Sequence, residues 1–393
     1  MNKTLKKSLV TILSIFAVVT IVMSCGCTSE ATESSDIKNN DENSNLDPKG
    51  LDADKNTEFI TVTDMAGRTV QVPKKVDRTI GLACTLREIV YLGVKDKVIG
   101  IEEVESDEKI GMRMPYMLAN PELADLSIVN KAGKTQQYYE RILTANPDVI
   151  FLGNQEAEIA DDMQEKLQIP VVVVHATAIG SKEQNAKYDQ SLRLMGKILD
   201  KEERANEIID KMKEYEADLM SRASKSDKNP SVYIPGRAYY GTNGLTTTDP
   251  RWPPFEYLGT NNRANNVAYG VDNVSKGVSV SEEQLINWNP EYMFIPSTAF
   301  KMVEKDLEKP EFKELSAIKN DNVYKVPPFR LYSYNKGTAI ADAYYIGKIL
   351  YPDQFADIDP VEKADEIYIF FNGNPVYEEM SKKNLGFEKV NIK

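Results

Sequence analysis

Apolar residues in this chain recur with two different periods that alternate along its first half. Short apolar runs typical of buried strands alternate with segments in which apolar residues return at the 3.6-residue period of a helix. The predicted elements are strands at 79–83, 98–101, 149–152 and 171–174 and helices at 86–92, 138–145 and 161–167. Strands that alternate with helices form βαβ units, so we expect mostly parallel sheets. Before them, residues 60–73 alternate around a turn signal and predict a β-hairpin.

Part of this pattern occurs a second time, 143 residues further along the chain. Residues 140–151 contain Glu-Arg-Ile-Leu followed by Asn-Pro-Asp-Val-Ile-Phe, and residues 283–294 contain Glu-Gln-Leu-Ile followed by Asn-Pro-Glu-Tyr-Met-Phe. The residue before a proline is disfavoured in helical conformation, so each Asn-Pro pair ends a short helix. A helix, a break and a buried strand are therefore used twice, which indicates two similar lobes.

Between the two copies, a helical apolar stripe runs from about 202 to 222. At 1.5 Å per residue this helix is ~30 Å long, enough to reach from one lobe to the other. The predicted fold is α/β, with two Rossmann-like lobes of mostly parallel sheet joined by a single long helix. We expect a first lobe at 59–200, the interlobe helix at 201–224, a second lobe at 225–358 and an extension of unassigned role at 359–393.

Residues 1–27 have the pattern of an export signal with a lipid attachment site. Three lysines precede the uncharged segment 9–23, which is short for a membrane span and fits the apolar core of a signal peptide. The sequence Val-Met-Ser-Cys ending at Cys25 resembles a lipoprotein processing site, with Cys27 as the alternative lipid-bearing residue. An uncleaved anchor would leave the protein on the same face of the membrane. Residues 28–58, with nine acidic residues and three lysines, predict a disordered acidic tether.

Composition narrows the classes of function. The chain has 48 basic and 60 acidic residues and a formal charge of −12, which argues against a nucleic-acid-binding protein. One histidine and three cysteines are too few for a disulfide scaffold or for a bare transition-metal ion held directly by the protein. We therefore expect no direct metal site, and any metal must arrive with other ligands.

At this level the chain resembles the substrate-binding proteins of ABC importers for iron-siderophore, haem and cobalamin. The resemblance covers roughly residues 59–355 and rests on the opening hairpin, the block 140–148, its partner 283–290 and the segment 317–324. It implies a monomer with no cofactor that binds a metal chelate between two lobes. The expected cargo is an iron-siderophore first and haem or a corrinoid next. The resemblance also implies delivery to an ABC permease with its ATPase subunits, with Glu140 and Glu283 docking the lobes onto permease arginines.

Ligands of open parallel sheets bind beyond the carboxyl ends of the strands, which directs the search for ligand contacts to the loops. Arginine recognises carboxylate or phosphate, and aromatic side chains offer flat apolar contact. The expected ligand contacts are Thr85, Arg113, Tyr116, Arg237, Tyr239, Tyr240, Trp252, Arg330 and Tyr332. Weaker candidates are Cys84, Met112, His175 and Arg263. For Cys84 and His175 a buried structural role is the simpler interpretation.

Two other functions are compatible with this organisation. Doubly wound lobes also occur in enzymes, but the chain has neither a Gly-x-Ser-x-Gly nor a Gly-x-Gly-x-x-Gly motif, and its single histidine limits catalytic constellations. We therefore do not expect an enzyme. A surface-anchored sensor or storage protein would bind a ligand without a transporter, and the paired glutamates argue against that alternative.

Overall fold

The computed structural model describes residues 58–131, 138–176, 179–236, 244–268 and 277–392, and the observations below concern these ranges. The predicted signal, Cys25, Cys27 and the tether up to residue 57 lie outside them. The predicted ligand contacts Arg237, Tyr239 and Tyr240 also lie outside the described residues.

The first half of the described chain is built around a three-stranded parallel sheet with the order β3-β6-β7. The strands are β1 Phe59–Thr63, β2 Thr69–Pro73, β3 Thr79–Leu82, β4 Ile101–Glu102, β5 Ile128–Asn130, β6 Val149–Gly153 and β7 Val171–Val174. The helices are α1 Leu86–Tyr91, α2 Glu103–Ser106, α3 Pro115–Ala119, α4 Tyr139–Ala145, α5 Ala157–Leu167 and α6 Lys182–Leu199. Strands β1 and β2 form the predicted antiparallel hairpin, and β4 and β5 form a separate parallel pair.

The run predicted as one strand at 98–101 is divided in the structure. Val98 forms an isolated parallel bridge with Thr79 at the edge of the main sheet, whereas Ile101 pairs with Ile128 of β5. The chain thus passes from one sheet to the other within this run, which the apolar pattern alone does not reveal.

The second half begins with the long helix α7 Glu202–Ala223, which occupies nearly all of the predicted interlobe segment. The strands that follow are β8 Ser231–Tyr233, β9 Thr247–Thr248, β10 Asn261–Asn262, β11 Val278–Ser279, β12 Tyr292–Pro296, β13 Val323–Val326 and β14 Glu388–Val390. The helices are α8 Pro253–Leu258, α9 Glu282–Trp288, α10 Phe300–Leu307, α11 Ser316–Lys319, α12 Lys336–Leu350, α13 Pro360–Asn372 and α14 Tyr377–Lys382. The main sheet has the order β10-β8-β12-β13-β14, parallel except for β14. The predicted α/β fold with mostly parallel sheets is confirmed.

The sequence repeat is also a structural repeat. Helix α9 and strand β12 have the bounds of α4 and β6 shifted by the same 143 residues. Both helices end at an asparagine in the left-handed conformation, Asn146 at φ 50° and Asn289 at φ 42°. Asparagine reaches this conformation more easily than most residues, and the proline that follows cannot continue the helix. The same local chemistry therefore ends the helix and starts the strand in both halves.

Each of the two main sheets is buried on both of its faces. In β6, Phe151 packs into the largest core cluster and its neighbour Ile150 into a separate cluster on the opposite face. The equivalent residues of β12, Phe294 and Met293, divide in the same way. The largest cluster also contains residues of α6, α7, α8, α12 and α13, so it is shared by the two halves. The described residues from 58 to 392 accordingly belong to one compact unit.

The extension predicted at 359–393 contacts both halves. Strand β14 adds an antiparallel edge to the second sheet, and the ring of Phe387 stacks on Tyr345 with a centroid distance of 4.3 Å. Helix α13 packs on α12 of the second half and on α1 and α3 of the first, where the Tyr91 and Phe371 rings lie 5.0 Å apart. The extension therefore bridges the halves instead of packing on the second lobe alone.

Candidate functional site

Two loops with strained backbone meet between the halves. The loop after β3 contains Ala83 at φ 52° and Cys84 at φ 81°, and the loop after β13 contains Tyr332 at φ 42° and Ser333 at φ 70°. Left-handed backbone at residues other than glycine costs on the order of 1–3 kcal/mol each and concentrates at functional sites. Both loops follow the carboxyl end of a parallel strand, which is where open sheets bind ligands. The candidate site is therefore the region where these loops meet. We call it the interlobe cluster, and it comprises the strained residues of the two loops and the buried polar side chains beside them, which are Thr85, Arg87, Glu88, Glu102, Glu105, Tyr116, Asn130, Asn335 and Lys336.

Buried charges from both halves connect the two loops. The Nζ of Lys336, at the start of α12, lies 2.7 Å from Oε1 of Glu88 in α1, and neither side chain is more than 1% exposed. Burial lowers the pKa of Lys336 to about 8, and the Glu88 carboxylate opposes this shift. In the same helix as Glu88, the guanidinium of Arg87 donates to Oδ1 of Asn335 at 3.1 Å and to the carbonyl of Tyr332. These contacts hold the β13 loop against the first half.

A pair of buried carboxyl groups, those of Glu102 and Glu105, lies in the interlobe cluster. Glu102 accepts hydrogen bonds from Nδ2 of Asn130 at 2.8 Å and from the hydroxyl of Tyr332, across the halves. Glu105 accepts from the hydroxyl of Tyr116 at 3.2 Å and from the backbone N–H of Glu102 at 3.0 Å. Burial raises the pKa of both carboxyl groups, and repulsion from Glu102 raises that of Glu105 further. Both carboxyl groups therefore hold their protons to a higher pH than a free glutamate does.

The thiol of Cys84 lies in the same cluster, and its raised pKa makes it unreactive. Burial raises its pKa to about 12, more than the nearby Arg87 guanidinium lowers it. Because the thiolate is the form that attacks substrates and binds metals, the raised pKa gives Cys84 little reactivity. Within the described ranges, no group of three or more His, Cys, Asp and Glu residues is arranged to hold a metal ion.

Two polar atoms of α1 lie beside these contacts without a hydrogen-bond partner among the described residues. They are Nη1 of Arg87 and Oε2 of Glu88, and both are buried. Buried polar groups are almost always hydrogen-bonded, because an unsatisfied one costs about 1–3 kcal/mol. The Arg87 N–H is therefore a donor suited to an oxygen atom of a ligand.

Four of the predicted ligand residues belong to the interlobe cluster. They are Cys84, Thr85, Tyr116 and Tyr332. Thr85 is fully buried, and its hydroxyl donates to the carbonyls of Leu82 and Phe151, so it fixes the strained loop. Tyr116 has no exposed surface, whereas Tyr332 is partly exposed and reaches across the halves.

Trp252 lies on the second half just before α8, and Arg330 lies in the β13 loop. Trp252 is 1% exposed, and its indole packs edge-on against Phe255 at 4.6 Å, so it is part of the core and not a cleft wall in this conformation. The Arg330 guanidinium lies 3.7 Å from Asp249 and over the Tyr334 ring at 4.8 Å. An aromatic residue near an arginine in sequence thus does not by itself mark a cleft surface.

The remaining predicted residues make the following contacts. Arg113 is partly buried and its Nη2 lies 3.5 Å from the carbonyl of Lys383 in the extension, while Met112 packs against the core. His175 follows β7, and its backbone N–H donates to Oγ of Ser191 at 2.6 Å. Arg263 is exposed and donates to the carbonyl of Trp288 at 3.0 Å.

Four residues of the site are not among those predicted from the sequence: Arg87, Glu102, Glu105 and Asn130. Glu102 ends β4 and Asn130 ends β5, so the rule that directs attention to carboxyl ends of strands applies to both. These strands are only two and three residues long, which is too short for a recognisable apolar period. Arg87 gives no local signal, because its partner Asn335 is 248 residues away.

A cavity of about 420 Å³ lies elsewhere, against α6 and α7. Its lining includes Asn185, Met212 and Glu216, and burial together with Asp189 raises the pKa of Glu216 to about 7. No lining residue comes from the loops at the carboxyl ends of β3 and β13. We therefore place the candidate site at the interlobe cluster, where the strained loops and buried donors lie.

The two predicted docking glutamates occupy equivalent positions on the outside. Glu140 lies in the first turn of α4 and Glu283 in the first turn of α9, and both are exposed. Neither belongs to the interlobe cluster. Among the described residues, no helix is both long enough and apolar enough to cross a lipid bilayer.

Comparison with known proteins defines the class. Residues 84–328 match the Periplasmic binding protein family, so the chain belongs to that family. It is a substrate-binding protein of an ABC transporter, as the sequence resemblance predicts. Proteins of this class bind the ligand that is transported and need no cofactor, and its relatives are transport proteins and not enzymes. They act outside the cytoplasm.

Individual relatives are distant in sequence. The molybdate-binding protein MolA of Haemophilus influenzae is 24% identical over 78% of this chain and 89% of the relative. A periplasmic solute-binding protein of Veillonella parvula superposes with a TM-score of 0.63 at 22% identity, over 84% of this chain and 97% of that protein. The petrobactin-binding protein YclQ of Bacillus subtilis does so with a TM-score of 0.53 at 19% identity, over 76% and 99%. These likenesses show the shared fold.

The proton held by the carboxyl pair should be visible in the pH dependence of stability. The unfolded chain releases a glutamate proton near pH 4.3, whereas folded Glu105 holds it to higher pH. The wild-type protein therefore loses stability as pH rises above that value, and Glu105→Gln, which has no proton to lose, does not. We expect the stability of the variant relative to wild type to increase between pH 4.5 and pH 8, measured by urea unfolding at both pH values.

The exposed Glu108 on the same segment provides the control, because Glu108→Gln should behave like wild type at both pH values. A difference between Glu105→Gln and wild type that is the same at pH 4.5 and pH 8 would mean that the folded protein holds no extra proton.

Proposed function

We propose that this protein is a lipid-anchored substrate-binding protein that captures a metal chelate between its halves and delivers it to an ABC permease. The observation that supports this most directly is the meeting of the β3 and β13 loops at the carboxyl ends of two parallel sheets. Each loop there comes from a different half, so a ligand bound between them contacts both. Such a site responds to the relative position of the halves, which a permease can sense.

The proposed cargo is an iron-siderophore, with haem or a corrinoid next. Arg87 offers a buried N–H to an anionic oxygen, and Arg237 with Tyr239 and Tyr240 is expected in the loop that follows β8. The petrobactin-binding relative supports a siderophore for this fold. Molybdate is the second candidate, because the relative MolA binds it and a buried guanidinium suits a tetrahedral oxyanion.

Titration of intrinsic fluorescence distinguishes these cargoes. We expect tight binding of a ferric siderophore, haemin or cyanocobalamin, and none of free Zn²⁺, Mn²⁺ or Ni²⁺. Arg237→Ala should weaken chelate binding by roughly 1.5–3 kcal/mol, the scale of a hydrogen bond to a charged group. Arg193→Ala, an exposed arginine on α6, serves as the matched control and should have no effect. Tight binding of molybdate alone supports the second candidate, and tight binding of a free divalent ion alone contradicts both.

The lipid anchor is tested by removing the candidate lipid-bearing cysteines and measuring how much protein remains in the membrane fraction. Cys25→Ser combined with Cys27→Ser should release the protein into the soluble fraction, because both candidate acyl sites are gone. Cys84→Ser is the control and should leave the protein on the membrane, since this cysteine lies in the loop after β3, within the folded part of the chain. The single variants identify the modified cysteine. A double variant that remains fully membrane-bound would show that an uncleaved amino-terminal helix is the anchor.

Delivery is tested with the docking glutamates. Glu140→Ala combined with Glu283→Ala should abolish uptake of the ligand identified by titration while leaving its affinity unchanged, because both residues are exposed and lie outside the interlobe cluster. The control removes two other glutamates in first turns of helices, Glu362→Ala and Glu378→Ala on α13 and α14. Normal uptake with the first pair would contradict the docking role and would mean that both residues are solvated glutamates at helix starts, favoured there by the helix dipole.

A further inference from the structure

The exposed apolar side chains of the described residues are distributed in a regular way. Eight large ones are exposed: Phe59, Leu143, Ile159, Met220, Ile286, Met302, Val361 and Ile369. Four of these form two pairs separated by the repeat offset of 143 residues, Leu143 with Ile286 and Ile159 with Met302. A single exposed apolar residue is normal on any surface, but the same exposure at equivalent positions of both halves calls for a common cause.

The first pair lies beside the docking glutamates. Leu143 is three residues after Glu140 in α4, and Ile286 is three residues after Glu283 in α9. Residues three apart in a helix are neighbours on the same face. Leu143 is 46% exposed and Ile286 is 39% exposed, so each glutamate has an accessible aliphatic neighbour.

The second pair lies on the next helix of each half, α5 and α10. Helix α5 contacts α4, where Tyr139 faces Asp162 and Lys166, whose charges act on its hydroxyl. Ile159 lies three residues before Asp162 and seven before Lys166, so it is on the side of α5 that faces α4.

The same arrangement occurs in the second half. The residue equivalent to Tyr139 is Glu282, and it forms an ion pair of 2.7 Å with Lys309, the equivalent of Lys166. Met302 precedes Lys309 by seven residues, as Ile159 precedes Lys166, although α10 itself ends at Leu307. We define two docking patches, which are Glu140 with Leu143 and Ile159, and Glu283 with Ile286 and Met302.

We propose that the two docking patches together bind a membrane permease that presents the same socket twice, each socket combining an apolar pocket with a basic group. This inference rests on the proposed function and adds to it the apolar part of the contact. Protein interfaces commonly have an apolar centre with charged groups at the rim. The aliphatic side chains provide affinity that salt does not screen, and the glutamates provide orientation.

Two equal apolar patches could bind a second copy of this chain or a different protein, and the charge of the glutamates in the patches distinguishes these partners. A second copy of this chain would place glutamate against glutamate on a protein whose formal charge is already −12. A partner with basic sockets meets the charge of both patches. Because the patches are alike, that partner contains two equivalent subunits or two equivalent domains.

Cross-linking in the native host identifies what touches the patches. A photoreactive amino acid is placed in the full-length protein at Leu143, Ile286, Glu140 or Glu283, and at Ile369 on α13 as the control. We expect the four patch positions to label the same membrane-spanning ABC permease subunit and Ile369 to label none. Cross-links from Leu143 and Ile286 to a second copy of this chain overturn the inference.

The same experiment separates this inference from the proposed function. If Glu140 and Glu283 label the permease while Leu143 and Ile286 do not, the apolar contact is wrong and the proposed function stands. If no patch position labels a permease, both fail.

Affinity for the permease identified in this way, reconstituted in nanodiscs, gives the energetic test. Leu143→Ser combined with Ile286→Ser should weaken binding roughly a hundredfold, about tenfold for each aliphatic side chain that is no longer buried. The weakening should be the same at low and high salt. Val361→Ser combined with Ile369→Ser is the matched control, since these residues are similarly exposed at 44% and 49% and have no exposed apolar counterpart at the repeat offset. Equal binding by the two double variants overturns the inference.

Discussion

The buried ion pair between Lys336 and Glu88 sets the relation between the two halves. Lys336 is the first residue of α12, and its ammonium group also donates to the carbonyl of Ala176 and lies 4.2 Å from the Tyr188 ring centroid. Burying a charge is costly unless its partner is held in place, so this contact tolerates little displacement. Helix α1 begins just after the β3 loop and α12 just after the β13 loop. One interaction therefore positions both loops of the candidate site.

The rest of the architecture limits how far the halves can separate. The largest core cluster is shared by both halves, α7 packs against α6, α8 and α12, and the extension contacts α1 and α3 as well as α12. Opening the interlobe cluster widely would expose much of this apolar surface to water. Small hinge movements that exchange the Tyr332 to Glu102 hydrogen bond for ligand contacts expose far less. A largely preformed site with modest closure is the arrangement that these constraints favour.

Elements with long apolar periods were predictable from the sequence, and contacts between distant residues were not. The repeat at Asn146 and Asn289 follows from local chemistry, since a proline ends each helix and a buried strand follows. The Lys336 to Glu88 pair joins residues 248 apart, and nothing near either residue marks it. Trp252 is the opposite case. Its aromatic ring in a proline-rich segment predicts a ligand contact, but the structure buries the ring in the core. Local sequence defines elements, whereas the site depends on which elements meet.

The two halves agree where they face outward and differ where they face each other. Their outer helices repeat bounds, exposed aliphatic residues and first-turn glutamates at one offset. Their inner loops share no such pattern, since the β3 loop presents Ala83 and Cys84 and the β13 loop presents Tyr332 and Ser333. A chelate has no symmetry that requires equal contacts from two sides, whereas a partner with two equivalent subunits does. The proposed division of roles, with asymmetric loops for the cargo and symmetric patches for the permease, accounts for both the divergence and the repetition.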